Sequence, residues 1–212
     1  MKNLILVTLL LFSAVTSAQD QYSKGMQKAF ELWGENKTTE ASNLFERIAS
    51  VEMDNWVPAY YVAQINTIIS FGEQDKEKLT QQLGKAKEFI DIANAISPDN
   101  PEILIQQAMI NTAWIAFDGA TYGMEYSAKN VAIYSKALEI APDNPRVVFS
   151  KAEWDMGAAR YFGKDISPYC KDVERALELF VNFKPASDFH PNWGMDRAQM
   201  VLDNCGEQAQ ED

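Results

Sequence analysis

The sequence predicts an all-α fold: an α-solenoid of about four antiparallel helix pairs followed by a C-terminal capping helix. One turn signature recurs at a fixed spacing, Ser97-Pro98-Asp99-Asn100-Pro101 being matched by Ala141-Pro142-Asp143-Asn144-Pro145 with the leading prolines 44 residues apart. Met53-Asp54-Asn55 occupies the same frame 45 residues before Pro98, and Lys184-Pro185 follows Pro142 by 43. A period of this size with one turn signal per unit is that of stacked helical pairs, because a single pair cannot bury its apolar face alone. Between the turns the apolar residues keep a helical period, and no strand-like alternation of useful length interrupts them.

In chain order, these signals place helices at about 21–35 and 39–51, 56–71 and 76–96, 101–117 and 125–140, and 145–161 and 169–182, with a closing helix near 192–205. Asn36 ends the first helix, a role that outweighs the Asn36-Lys37-Thr38 glycosylation pattern. Gly72, Gly119 with Gly123, and Gly163 mark the connections within pairs, while Pro98, Pro142 and Pro185 mark those between pairs. Small residues sit where paired helices cross: Ala29, Ala63, Ala108 and Ala152 in the first helices, with Ala41, Ala86 and Ala137 in the second. Small side chains let the helices approach, and Phe45, Ile90 and Tyr134 lie one turn away to fill the gap. The fourth unit replaces this pattern with the larger Val173, Leu177 and Phe180, and Asn130 stands where an alanine is expected.

This pattern resembles that of the tetratricopeptide repeat family over roughly residues 22 to 187, with units two to four longer than the usual 34 residues by 9 to 11. The resemblance implies a concave groove lined by the first helices. The residues it assigns there are Met26, Phe30, Trp33, Tyr60, Gln64, Ile105, Met109, Phe149, Glu153 and Met156. Most of them are apolar, rich in Met and aromatics, and suited to adaptable contact with an apolar peptide or helix. The same residue types favour interiors, so groove and core stand as alternatives at these positions. The stretch 183–194, from Phe183 to Gly194, is similar to segments of exported bacterial repeat proteins and implies a compartment and an architecture without an activity.

Residues 1–18 read as a signal peptide. Lys2 supplies the positive start, Leu4 to Val15 the apolar run, and Thr16-Ser17-Ala18 the small-residue cleavage site. The run is shorter than the roughly 20 residues a spanning helix needs. The repeat domain is expected over 19–205 and a polar tail over 206–212. With Lys2 gone, 18 basic residues stand against 30 acidic ones, a formal charge of −12. Such acidity disfavours nucleic acid and anionic membrane surfaces as partners. Export to the periplasm or exterior of a Gram-negative cell is the expected destination. There the two cysteines, Cys170 at the start of one predicted helix and Cys205 at the end of the next, are expected to form a disulfide.

Catalytic signals are missing. His190 is the single histidine, and with Pro191 and Trp193 beside it a packed turn into the closing helix is the expected role. The sequence has no phosphate-cradling glycine loop, nucleophile elbow or paired metal-ligand spacing, so neither an enzyme nor a bound metal or cofactor is expected. The stretch Asp118 to Tyr126 reads as a loop whose Tyr122, Met124 and Tyr126 either form a rim that grips a ligand or staple the next helix. The sequence therefore favours a non-catalytic scaffold or assembly factor that binds a protein or peptide along its concave face. The alternative is a carrier, with longer helices and the 118–126 loop closing the solenoid around a small apolar ligand.

Overall fold

A computed structural model describes residues 19–208, with side chains to residue 205. The expected signal peptide, 1–18, and the end of the expected tail lie outside the described residues. Those residues form nine helices and no strand. They are α1 (19–34), α2 (Thr38–Val51), α3 (Trp56–Ser70), α4 (Lys76–Ile96), α5 (Pro101–Phe117), α6 (Gly119–Ile140), α7 (Pro145–Tyr161), α8 (Ser167–Asn182) and α9 (Met195–Gln208). Consecutive helices pack as pairs, α3 with α4, α5 with α6 and α7 with α8, and the first helices of successive pairs touch along the ladder α3–α5–α7. This is an all-α helical-repeat fold. None of the described helices is long and apolar enough to cross a membrane.

The recurrent turn starts helices as well as ending them. Asn100 and Asn144 cap α5 and α7 by accepting hydrogen bonds from Glu102 N and from Arg146 N and Val147 N, and each is followed by proline at the first helical position. Proline there loses nothing, because that N–H has no intrahelical acceptor and the ring fixes a helical φ. Asn55 caps α3 in the same way, which explains why Met53-Asp54-Asn55 keeps the frame without proline. Asn36, at φ 61°, turns the chain out of α1, with Lys37 N donating back to Leu32 O at 2.9 Å.

The crossing alanines Ala29, Ala41, Ala63, Ala86, Ala108, Ala137 and Ala152 are all buried, with Phe45, Ile90 and Tyr134 packed beside them. Asn130 shows why an amide can replace alanine at a crossing. It is fully buried, its Nδ2 donates to Ala108 O and Thr112 Oγ1, and its Oδ1 accepts from Asn111 Nδ2. Every one of these bonds ties α6 to α5, so the polar group carries no unpaired burial cost.

Two elements differ from expectation. The loop predicted over 118–124 is helical. Asp118 ends α5 and caps α6 at once, its carboxylate accepting from Thr121 N and Thr121 Oγ1, which also holds its pKa below the usual carboxylate range. Gly119 and Gly123 therefore lie inside the first turns of a helix. The closing helix starts at Met195 and runs to Gln208, later than predicted, because residues 183–194 are an extended segment with a path of its own.

Cys170 and Cys205 form the disulfide, with Cα atoms 6.2 Å apart, and it fastens α9 to α8 across 35 residues of sequence. Replacing both cysteines with serine is expected to destabilise the chain by about 4 kcal/mol in the loop-entropy account. Chemical denaturation of oxidised and serine forms checks this, and equal midpoints would remove the disulfide from the stability argument. Gly194 ends the extended segment at φ 112°, and a Cβ there would lie 2.8 Å from Phe180 Cζ. Gly194→Ala is expected to cost more than about 1 kcal/mol, through strain and clash together. A melting temperature equal to that of the parent would contradict it.

Candidate functional site

The first helices face a common side, and the segment 183–194 crosses it. Phe183 lies over the Arg146 guanidinium of α7 at 4.3 Å. The His190 ring packs edge-on against Trp56 of α3, with centroids 5.7 Å apart. Phe189 stacks on Phe30 of α1 at 6.2 Å and 12° and meets Tyr22 edge-on at 5.5 Å. Two polar bonds fix this path: the Tyr61 hydroxyl donates to Phe189 O at 3.1 Å, and Trp193 Nε1 donates to the Tyr60 hydroxyl at 2.8 Å. Burial pushes the pKa of both tyrosines well above the usual phenol range, so both hydroxyls stay protonated.

Between this segment and the helices is a cavity of about 870 Å³. Phe30 and Trp33 come from α1, Tyr61, Gln64 and Ile68 from α3, Met109 from α5, and Phe189, His190 and Trp193 from the covering segment. Polar residues in the lining are Gln27, Glu31, Asp188 and Asn192 besides Gln64 and His190. The apolar part of the walls is therefore mainly aromatic. Phe30 is the hub, within 6.4 Å of the rings of Trp33, Phe45, Tyr61 and Phe189. Among the described residues no cluster of three metal-ligating side chains occurs.

This cavity brings together Phe30, Trp33, Gln64 and Met109 from the predicted groove set. Met26, Tyr60, Ile105, Phe149 and Met156 are instead core residues, each at most 2% exposed. Met26, Tyr60 and Ile105 sit one turn from Phe30, Gln64 and Met109 on α1, α3 and α5, while Phe149 and Met156 lie on α7 in a core cluster with residues of α8 and α9. Glu153 pairs on the surface with Arg197 of α9, at 2.6 Å. The residues read either as a rim or as a staple of the next helix lie away from the cavity. Tyr122 packs at a tilt against Trp114 at 4.9 Å and approaches Tyr126 at 5.9 Å, while Met124 is 91% exposed. Those three belong to α6, and none lines the cavity, whose rim is supplied by 183–194. His190 is packed as expected and lines the cavity as well. The missed apolar lining residues were Tyr61 and Ile68 of α3 and, in the crossing segment, Phe189 and Trp193. The signal of Phe189 and Trp193 was a run of aromatics around proline and glycine, too irregular for a helix and too apolar for a free loop.

A solved structure shares this architecture. The HusA haemophore from Porphyromonas gingivalis superposes with a TM-score of 0.77, covering 88% of this chain and 94% of that one at 23% identity. The likeness is one of fold. No protein-family model matches the chain, and no curated protein matches it.

Proposed function

We propose that the protein is an exported, non-catalytic carrier of a planar apolar ring compound, with haem as the leading cargo. The cavity carries this reading. Its volume falls within the roughly 300–1,000 Å³ of sites that enclose small molecules, and Phe30, Trp33, Phe189 and Trp193 offer flat faces on which a ring system stacks. The name of the solved counterpart, a haemophore, points the same way. His190 and Met109 are lining residues of types that ligate haem iron. With one histidine in the sequence, a single chain cannot supply two imidazoles, so retention rests chiefly on apolar contact.

Protein binding along an open concave face, the reading favoured by sequence, loses most of its surface. Residues 183–194 lie across that face, and half of the assigned groove residues are interior. The disulfide supports export, since such bonds persist in oxidising compartments. The tetratricopeptide resemblance remains our reading of the crossing alanines and inter-pair prolines.

Titration of the disulfide-bonded chain with haem, followed by the Soret band and by quenching of tryptophan fluorescence, tests the proposal. Saturation at one haem per chain is expected, with quenching reporting Trp33 and Trp193. Unsaturable, linear uptake would overturn it.

A further inference from the structure

The hydrogen-bonding side chains of the cavity wall are nearly all engaged or hydrated. Glu31 is bridged by Lys28 Nζ at 3.0 Å. The Tyr61 hydroxyl donates to Phe189 O, Trp193 Nε1 donates to the Tyr60 hydroxyl, and His190 Nδ1 lies 3.2 Å from Pro191 O. Gln27, Asp188 and Asn192 are exposed, so water serves them. Gln64 is in a different condition. It is 3% exposed, and its Oε1 is sealed in the interior with no hydrogen-bond partner. The end of the amide that reaches the cavity is therefore Nε2, which donates to no group among the described residues. Native folds seldom leave a buried acceptor unpaired. Packing does not demand an amide there, because the equivalent position of the next unit is Met109, which is apolar and of similar length. An amide kept at that cost, with only its N–H groups open to the cavity, is accounted for by a cargo that accepts from it.

We propose that Gln64 Nε2 is the donor that orients the cargo, and that the cargo turns toward it an acidic edge, a carboxylate carried on the ring system. Haem has such an edge in its propionates. This inference rests on the carrier reading and deepens it by assigning a residue to the polar edge of the ligand. A carboxylate accepts from an amide through a charge-assisted bond, stronger than the bond to an ester carbonyl. The pocket is open on one side, so the carboxylate keeps part of its water while it accepts from Gln64. Lys28 offsets the charge of Glu31, and Asp188 is exposed, where salt screens its repulsion of the acid.

The experiment titrates two probes, haem and haem dimethyl ester, into the disulfide-bonded chain and into its Gln64→Met and Gln64→Glu forms, each shown to be helical. Gln64→Met takes the side chain found at the equivalent position of the next unit and removes the donor. It is expected to weaken haem binding about tenfold and ester binding by no more than about threefold, the difference between a hydrogen bond to a charged and to a neutral acceptor. Gln64→Glu keeps the shape and exchanges the donor for an anion. At about pH 8, where a carboxyl is charged, it is expected to weaken haem at least as much as Gln64→Met does, with the ester again the less affected probe. A glutamine that only fills space would change both probes alike. Equal losses of haem and ester, or haem held by either form as tightly as by the parent, overturns the proposal and leaves the carrier reading standing. Failure of the folded, unmodified chain to take up either probe overturns the carrier reading itself.

Discussion

Arg146→Met is expected to be the most destabilising single substitution in the chain, at about 4 kcal/mol. Arg146 and Glu102 are buried with essentially no exposure and form a two-pronged ion pair, Nε to Oε2 at 2.6 Å and Nη2 to Oε1 at 2.7 Å. Asn144 Nδ2 adds a third bond to Glu102 Oε1 at 2.7 Å. The pair joins the first turn of α5 to the first turn of α7, and the Phe183 ring covers the guanidinium. Methionine fills much of the volume but leaves a carboxylate in the interior with one neutral partner. For a chain of this size the loss corresponds to a fall of about 10 °C in melting temperature, read by circular dichroism at a helix band. The double form Glu102→Met/Arg146→Met should recover most of the loss, since a buried pair costs nearly as much to desolvate as it returns. A single substitution that melts with the parent would show that the pair is not held as described.

Removing the aromatic cover should affect binding more than any other change. Phe189→Ala together with Trp193→Ala is expected to weaken haem binding about a hundredfold, taking each ring as worth about 1.5 kcal/mol of stacking and contact. Both rings face the cavity, and both also hold the segment in place, Phe189 against Phe30 and Tyr22 and Trp193 through the Tyr60 hydroxyl. Neither lies between the paired helices, so helix content and the Cys170–Cys205 bond should survive. Retention of haem within about threefold of the parent, in a form shown to be helical, would mean that the segment 183–194 is not part of the site.

The helices were legible because their signals are local. Asn-Pro at the start of α5 and of α7 and alanines one helical face apart act within a few residues of chain, so periodicity and capping chemistry locate the elements without knowledge of their neighbours. The stretch 118–124 was misread for a local reason too. Two glycines suggest a loop, yet Asp118 supplies a cap that starts the next helix one residue after the last one ends. The disulfide was legible from adjacency, since an antiparallel α8–α9 pair puts Cys170 and Cys205 at the same end.

The site was only partly legible. Phe30, Trp33, Gln64 and Met109 were found, but Met26, Tyr60 and Ile105 on the same helices, and Phe149 and Met156 on α7, are of similar residue types and are interior. Helical period states which residues share a face; it does not state whether a neighbouring helix covers that face. That depends on how closely successive first helices stack and on what crosses them. By itself the sequence determined an acidic, all-α chain of stacked helix pairs, because composition, caps and period are properties of short stretches. Only the tertiary structure decided that Phe189 and Trp193 reach back more than 120 residues to α3 and α1. Contacts of that separation are fixed by the packing of the whole solenoid, and they turn part of a face into an open pocket walled on one side by residues 188–193.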